Sequence, residues 1–291
     1  MNNQDSKQGL LFALAAYGIW GFVPIFFKSL ETIEPVGVLC YRIIYSFLIL
    51  IAFSLSKTEV DKIKSTMKDL YKMKMLFITS ILLGVHWLMF IWAITNDHIL
   101  DTSLGYLINP LLNVLFGVVI FKERFARLQI VAIFIAVLAV ILELIKYGTL
   151  PLLSIFIALT FTLYAFVRKQ IPVGTKVGLL IENGLMLIPS IIYVLCFTKD
   201  SDFVTNLNWQ MNILLFLSGF FSTVPYLFWI GAAKKLRFSI LGLTQYLEPT
   251  ISMLVAIFIY KEQMQNPTTF ILIWIGAIIF VLGGFKFSKK V

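Results

Sequence analysis

Ten stretches of predominantly apolar residues, each about 20 long, divide this chain, and helices that cross a bilayer are what such stretches build. Hydrocarbon offers no water to the backbone, so each N–H and C=O must be satisfied within its own segment, which a helix does. The spacing predicts spans at 8–27, 36–56, 75–94, 102–121, 128–145, 150–167, 177–197, 211–231, 239–260 and 268–286. Lys146-Tyr147-Gly148-Thr149 joins the fifth to the sixth, too tight for a domain linker. The 13% of charged residues is half the roughly 25% of a soluble domain, and the mean hydropathy is +0.92. The first apolar run is long for the core of a cleaved signal and reads as a first transmembrane helix. Cys40 and Cys196 both fall in predicted spans, so neither a disulfide framework nor a metal spacing is offered, and no cofactor is expected.

The net charge of +9 raises nucleic acid as a partner, but the placement of the charges argues against it. With the N-terminus inside, Lys28, Lys146, Lys199 and Lys261 are the basic residues of the outer loops, Arg42 lies within a span, and the rest fall on the inner side. This is the positive-inside pattern of ten crossings with both termini cytoplasmic, in a cytoplasmic membrane.

Polar residues repeat within this apolar background. Leu104-Gly105-Tyr106-Leu107-Ile108-Asn109-Pro110 leads to Lys122-Glu123, and Leu243-Thr244-Gln245-Tyr246-Leu247-Glu248-Pro249 leads without a gap to Lys261-Glu262. Spaced at i, i+3 and i+7, Tyr106, Asn109 and Asn113 share a helix face, and Gln245, Glu248 and Ser252 repeat it. The repeat divides the chain into 1–146 and 147–291, five spans each. An odd number of crossings puts the second copy upside down. The loops agree: the basic Lys122/Arg124/Arg127 loop matches one holding Lys261, the Asn96-Asp97-His98 loop matches Lys234/Lys235/Arg237, and the lysine-rich 57–74 matches 198–208 with Asp200 and Asp202. Inverted repeats of this kind build transporters with a site near the midplane between the halves.

An ionised side chain at the centre of a span costs about 2.5–3.5 kcal/mol, so intramembrane carboxylates usually face a cavity or a partner. Glu248 and Glu182 are the candidates for substrate or proton contact, while Glu143 is expected to pair with Lys146 at the interface. Arg42 has two readings, a snorkelling anchor or a positive charge at the outer mouth of the cavity. His86, among aromatics, is either a satisfied core group or a ligand. Trp20 and Tyr164 recur at one depth in Tyr17-Gly18-Ile19-Trp20-Gly21 and Phe161-Thr162-Leu163-Tyr164-Ala165, where an aromatic can pack or stack on a ligand. Pro110 and Pro249 are expected to free backbone carbonyls in mid-span, and Pro24 and Pro225 to do so in spans 1 and 8. The two Lys-Glu pairs read as helix-end anchors.

These residues carry a resemblance. Ala16-Tyr17-Gly18-Ile19-Trp20-Gly21-Phe22-Val23-Pro24, Tyr41-Arg42-Ile43-Ile44-Tyr45-Ser46-Phe47, Ser103 to Leu111, Val167-Arg168-Lys169 and Gln245 to Thr250 resemble the EamA family of the drug/metabolite transporter superfamily, and within it the RarD-type permeases. The resemblance implies an all-α integral membrane protein with ten transmembrane helices as two inverted five-helix repeats, alternating access and a cytoplasmic-membrane location. Members are associated with chloramphenicol sensitivity and the wider family exports amino acids and other metabolites. Such sequences tend to have His where Tyr41 stands and a small residue where Lys122 and Lys261 stand. The expected function is secondary transport, in the outward direction, of a small organic solute, with proton coupling through Glu248 or Glu182. Trp20, Tyr106 and Tyr164 would meet the solute's apolar part, and Asn109, Gln245 and Glu248 its polar groups. A sensor or channel is the competing class. An enzyme would need a nucleophile, metal cluster or dyad that the spans do not offer, and a homodimer is left open.

Overall fold

The computed structural model describes residues 3–259 other than 55, 97, 126, 148–150 and 200–201, together with 268, 271, 272, 275 and 279. Among the described residues the regular structure is helical. The helices α1 (Asn3–Lys28), α2 (Pro35–Ala52), α4 (Leu70–Thr95), α5 (Ile99–Val119), α6 (Arg127–Tyr147), α7 (Leu152–Gln170), α8 (Thr175–Phe197) and α9 (Trp209–Lys235) follow the first eight expected spans. Six of them, α1, α2, α4, α7, α8 and α9, are long and apolar enough to cross a membrane, while α5 and α6 carry shorter apolar windows. The tenth expected span and the Lys261-Glu262 pair lie outside the described residues, as do the side chains of Glu143 and Lys146.

Two elements differ from the sequence reading. The lysine-rich 57–74 is not a loop: it forms α3 (Lys57–Lys68), capped by Ser56, and then the first turns of α4. Asp69 caps α4 by accepting from the Lys72 N–H at 3.1 Å, and the Lys72 ammonium hydrogen-bonded to it holds its carboxyl below the usual range. The ninth span is broken into α10 (Phe238–Thr244) and α11 (Leu247–Phe258), with Gln245 and Tyr246 between them. Pro249 therefore stands in the first turn of α11, where a missing N–H costs little, whereas Pro110 lies inside α5. The Gln245 carbonyl that Pro249 leaves free accepts from the Glu248 N–H at 3.0 Å.

Burial runs opposite to that of a soluble protein. Phe77, Phe134, Leu195 and Phe216 are exposed, while Arg42, His86, Asn109, Arg168, Glu182 and Gln245 are buried. A ring of large apolar side chains outside and ionisable groups inside is what a lipid solvent selects.

Packing runs between the halves. α1 lies against α9, α10 and α11, and α7 lies against α4 and α5; α2 packs on α8 and α9, and α8 on α2 and α4. Exchanging α1 with α7, α2 with α8, α4 with α9, and α5 with α10/α11 carries each of these contacts into another. Small residues permit the closest crossings. A Cβ on Gly219 of α9 would lie 2.6 Å from Tyr45 Cβ and 2.8 Å from the Ser46 nitrogen of α2, where the Ser46 hydroxyl donates to the Gly219 carbonyl at 3.2 Å. Gly219→Ala is expected to destabilise the protein by about 1–3 kcal/mol, read as a lower thermal midpoint in detergent; an unchanged midpoint would show that this crossing is looser than described.

Candidate substrate site between the halves

The centre of the bundle is built from four aromatic pairs, each spaced i, i+3 on one helix face: Tyr17/Trp20 on α1, Trp87/Phe90 on α4, Phe161/Tyr164 on α7 and Tyr226/Trp229 on α9. They interlock across the halves. Trp20 meets Tyr226 edge-on at 4.9 Å between ring centres and Phe161 at 6.1 Å, and Tyr164 stacks on Trp229 at 5.7 Å. Trp87 Nε1 donates to the Tyr226 hydroxyl and Trp229 Nε1 to the Tyr17 hydroxyl, both at 2.8 Å, and Tyr17 in turn donates to the Leu241 carbonyl. Each first-half helix of the cluster thus reaches a second-half partner. Tyr226, Trp229 and Phe161 were not singled out in the sequence, although the i, i+3 aromatic spacing repeated on four spans was a signal for them.

Around this cluster the expected residues fall into separate groups. Arg42 is buried rather than snorkelling: its guanidinium lies 4.1 Å from the Trp87 ring centre and donates from Nη1 to Ser222 Oγ at 3.2 Å, leaving Nε with no partner among the described residues. His86 is stacked on Phe161 at 4.9 Å and has Thr160 Oγ1 3.3 Å from Nδ1, so it has a partner. Tyr106 meets both His86 and Phe90.

The two polar stripes do different work. Asn109, fully buried, donates from Nδ2 to the Ala158 carbonyl and to Thr162 Oγ1, each at 2.8 Å, joining α5 to α7; Asn113 donates to its Oδ1. In the second stripe Ser252 donates to the Gly21 carbonyl at 3.0 Å, joining α11 to α1. Gln245, fully buried at the helix break, has neither amide atom hydrogen-bonded among the described residues. Glu248, three residues on, is buried, with 9% of its surface exposed.

Glu182 belongs elsewhere, between α4, α7 and α8. Thr79 Oγ1 donates to its Oε1 at 2.6 Å, and Arg168 Nε lies 3.3 Å from the same oxygen without hydrogen-bonding alignment. Arg168, grouped by sequence with the loop charges, is instead wholly buried. It fits because Gly178 has no side chain, since a Cβ there would sit 2.0 Å from Arg168 Nη2. Tyr164 of the aromatic cluster lies one turn before Arg168 on α7, and its buried hydroxyl has no hydrogen-bond partner among the described residues.

The sequence pattern of the EamA-like transporter family matches residues 7–145 and, a second time, 148–284. The chain belongs to that family. It is 37% identical to an uncharacterized transporter of Vibrio cholerae over 98% of this chain and 95% of that protein. It is 36% identical to protein RarD of Escherichia coli over 100% of this chain and 99% of that one. A solved crystal structure shares the fold with a TM-score of 0.69 at 15% identity, covering 95% of this chain and 98% of its own. The EamA-like chain is accordingly a multi-pass membrane protein of a transporter family.

Removing one partner of a buried ion pair leaves the other charge uncompensated and costs about 3–5 kcal/mol. Arg168→Met is therefore expected to lower the thermal midpoint sharply, and Arg168→Met with Glu182→Met to recover much of the loss. A double variant no more stable than the single one would show that the two charges are not coupled.

Proposed function

We propose that this EamA-like chain is a secondary transporter that moves a small organic solute outward across the cytoplasmic membrane by alternating access. Residues 1–146 and 147–291 are the two inverted halves, both termini are cytoplasmic, and the halves rock about the aromatic cluster. The observation that carries the reading is the set of buried polar atoms without partners around that cluster. They include Trp20 Nε1, Arg42 Nε, the Tyr164 hydroxyl and both amide atoms of Gln245, contributed by both halves. Buried polar atoms are normally hydrogen-bonded, and those left over at a shared centre are disposed to receive a ligand's groups. The exchange pattern of helix contacts supports the rocking motion, because a site between two equivalent halves is approached equally from either end.

The solute's planar or apolar part stacks on Trp20, Tyr106 and Tyr164, and its polar groups meet Gln245, Glu248 and Arg42. Asn109, committed to α7, holds the wall of the site. Proton coupling runs through Glu248 or Glu182, the carboxylates buried inside spans, since a carboxyl held from water can exchange a proton where an exposed one stays ionised.

Cells overproducing the protein should accumulate at least one metabolite outside that cells making Gln245→Leu or Glu248→Gln, at equal membrane abundance, release roughly tenfold less. Equal release from all three would overturn the site assignment. Unaltered transport and pH dependence in both Glu248→Gln and Glu182→Gln would remove proton coupling from the account.

A further inference from the structure

The Lys122-Glu123 pair, read from sequence as a helix-end anchor, does something more specific. After α5 ends, Lys122 adopts a left-handed backbone with φ of 53°, and the Glu123 N–H returns to the Gly117 carbonyl at 2.9 Å. This turn points the Glu123 carboxylate at the start of α10 in the other half. Its Oε1 accepts from the Phe238 N–H at 2.7 Å, and its Oε2 accepts from the Ser239 N–H at 3.3 Å and from the Ser239 hydroxyl. Arg237 Nε lies 3.7 Å from Oε2, while Arg237 Nη2 donates to the Arg124 carbonyl at 2.6 Å. Room for the carboxylate comes from Gly117, where a Cβ would stand 2.9 Å from Oε2.

Helix α10 depends on this contact. Its own N-cap residue is Arg237, which has no acceptor to offer and makes no side-chain capping bond, so the cap is supplied from the first half. Just before α10 the chain is tied to α7: Lys169 donates to the Ala233 and Leu236 carbonyls, and Lys234 to those of Ile171 and Val173. Just after it the helix is broken at Gln245–Tyr246. A seven-residue helix with a tied entry, a broken exit and a borrowed cap can turn as a unit. In the observed state it is pressed flat on α5, since a Cβ on Gly242 would meet Asn113 Cβ at 2.6 Å and the Pro110 carbonyl at 3.1 Å. At its start lie Lys169, Lys234, Arg124 and Arg237, and at its end the chain passes directly into Gln245.

We propose that Glu123 is a latch: by capping α10 it holds the basic end of the transporter closed, and its release lets α10 turn on the Gln245–Tyr246 break and opens the path to Gln245 and Glu248. This rests on the alternating-access reading and names the contact whose making and breaking sets one of its two states.

The test uses the full chain in oriented vesicles, with Cys40 and Cys196 replaced by serine and Asn113→Cys as a reporter beneath α10. A membrane-impermeant maleimide is applied to the basic face. Glu123→Ala should raise the labelling rate by about tenfold or more, the effect of losing charge-assisted hydrogen bonds to a helix start, with Glu123→Gln intermediate and Ser239→Ala showing a smaller rise. If Glu123→Ala does not fold, the other two variants carry the test. Labelling at the parent rate in every folded variant, with the parent still labelled at different rates from the two faces, overturns the latch and leaves alternating access standing. A parent labelled rapidly and equally from both faces overturns alternating access and the latch with it.

Discussion

Everything in this fold follows from the shortage of hydrogen-bond partners inside a hydrocarbon slab. The backbone meets it by forming helices, and polar side chains meet it by bonding back to their own helix, as Ser222 and Thr160 do, or by reaching a neighbouring one. In this chain those neighbours lie repeatedly in the opposite half: Asn109 on α5 bonds α7, Ser252 on α11 bonds α1, Trp87 on α4 bonds α9, and Arg42 on α2 bonds α9. The halves are therefore held together by polar contacts in their middle, where apolar packing alone gives no preference for protein over lipid. What is left unsatisfied there, above all Gln245, is what the proposed solute would meet.

The aromatic cluster gives that centre its shape. Rings spaced i, i+3 on four helices form a wall that is rigid, since each ring has two torsions, and polar at its rims through Trp N–H and Tyr O–H. Cross-half Trp–Tyr hydrogen bonds fix the ring orientations. The buried Arg168–Glu182 pair, one turn beyond Tyr164, is a separate electrostatic element that joins α7 to α8.

How far the sequence reveals this depends on whether a feature is local. The first eight spans were legible because length and apolarity decide them, and the stripe of the first half was legible because i, i+3, i+7 spacing survives into α5. The break before α11 was not. Pro110 and Pro249 look alike in sequence, and what separates them is the loss of helix at Gln245–Tyr246, where Glu248 bonds the carbonyl that Pro249 leaves free. Arg168 reads as an interfacial charge beside Lys169, and its burial depends on the absent side chain of Gly178, ten residues away. Helix α3 was hidden by its lysines, which suggest a loop until Ser56 and Asp69 are recognised as caps. The role of Glu123 needed a partner 115 residues on, which no local pattern supplies.

The central claim is that two halves rock about a shared centre, so the two ends of the molecule must open in opposition. Spin-label pairs would measure this directly: Arg124 with Lys235 at the basic end, Asn96 with Asn208 at the other, each pair spanning the two halves in the full chain in lipid. The account predicts two distance populations at each end, with any condition that lengthens one pair shortening the other. A single unchanging population at both ends, or lengthening at both together, would contradict it.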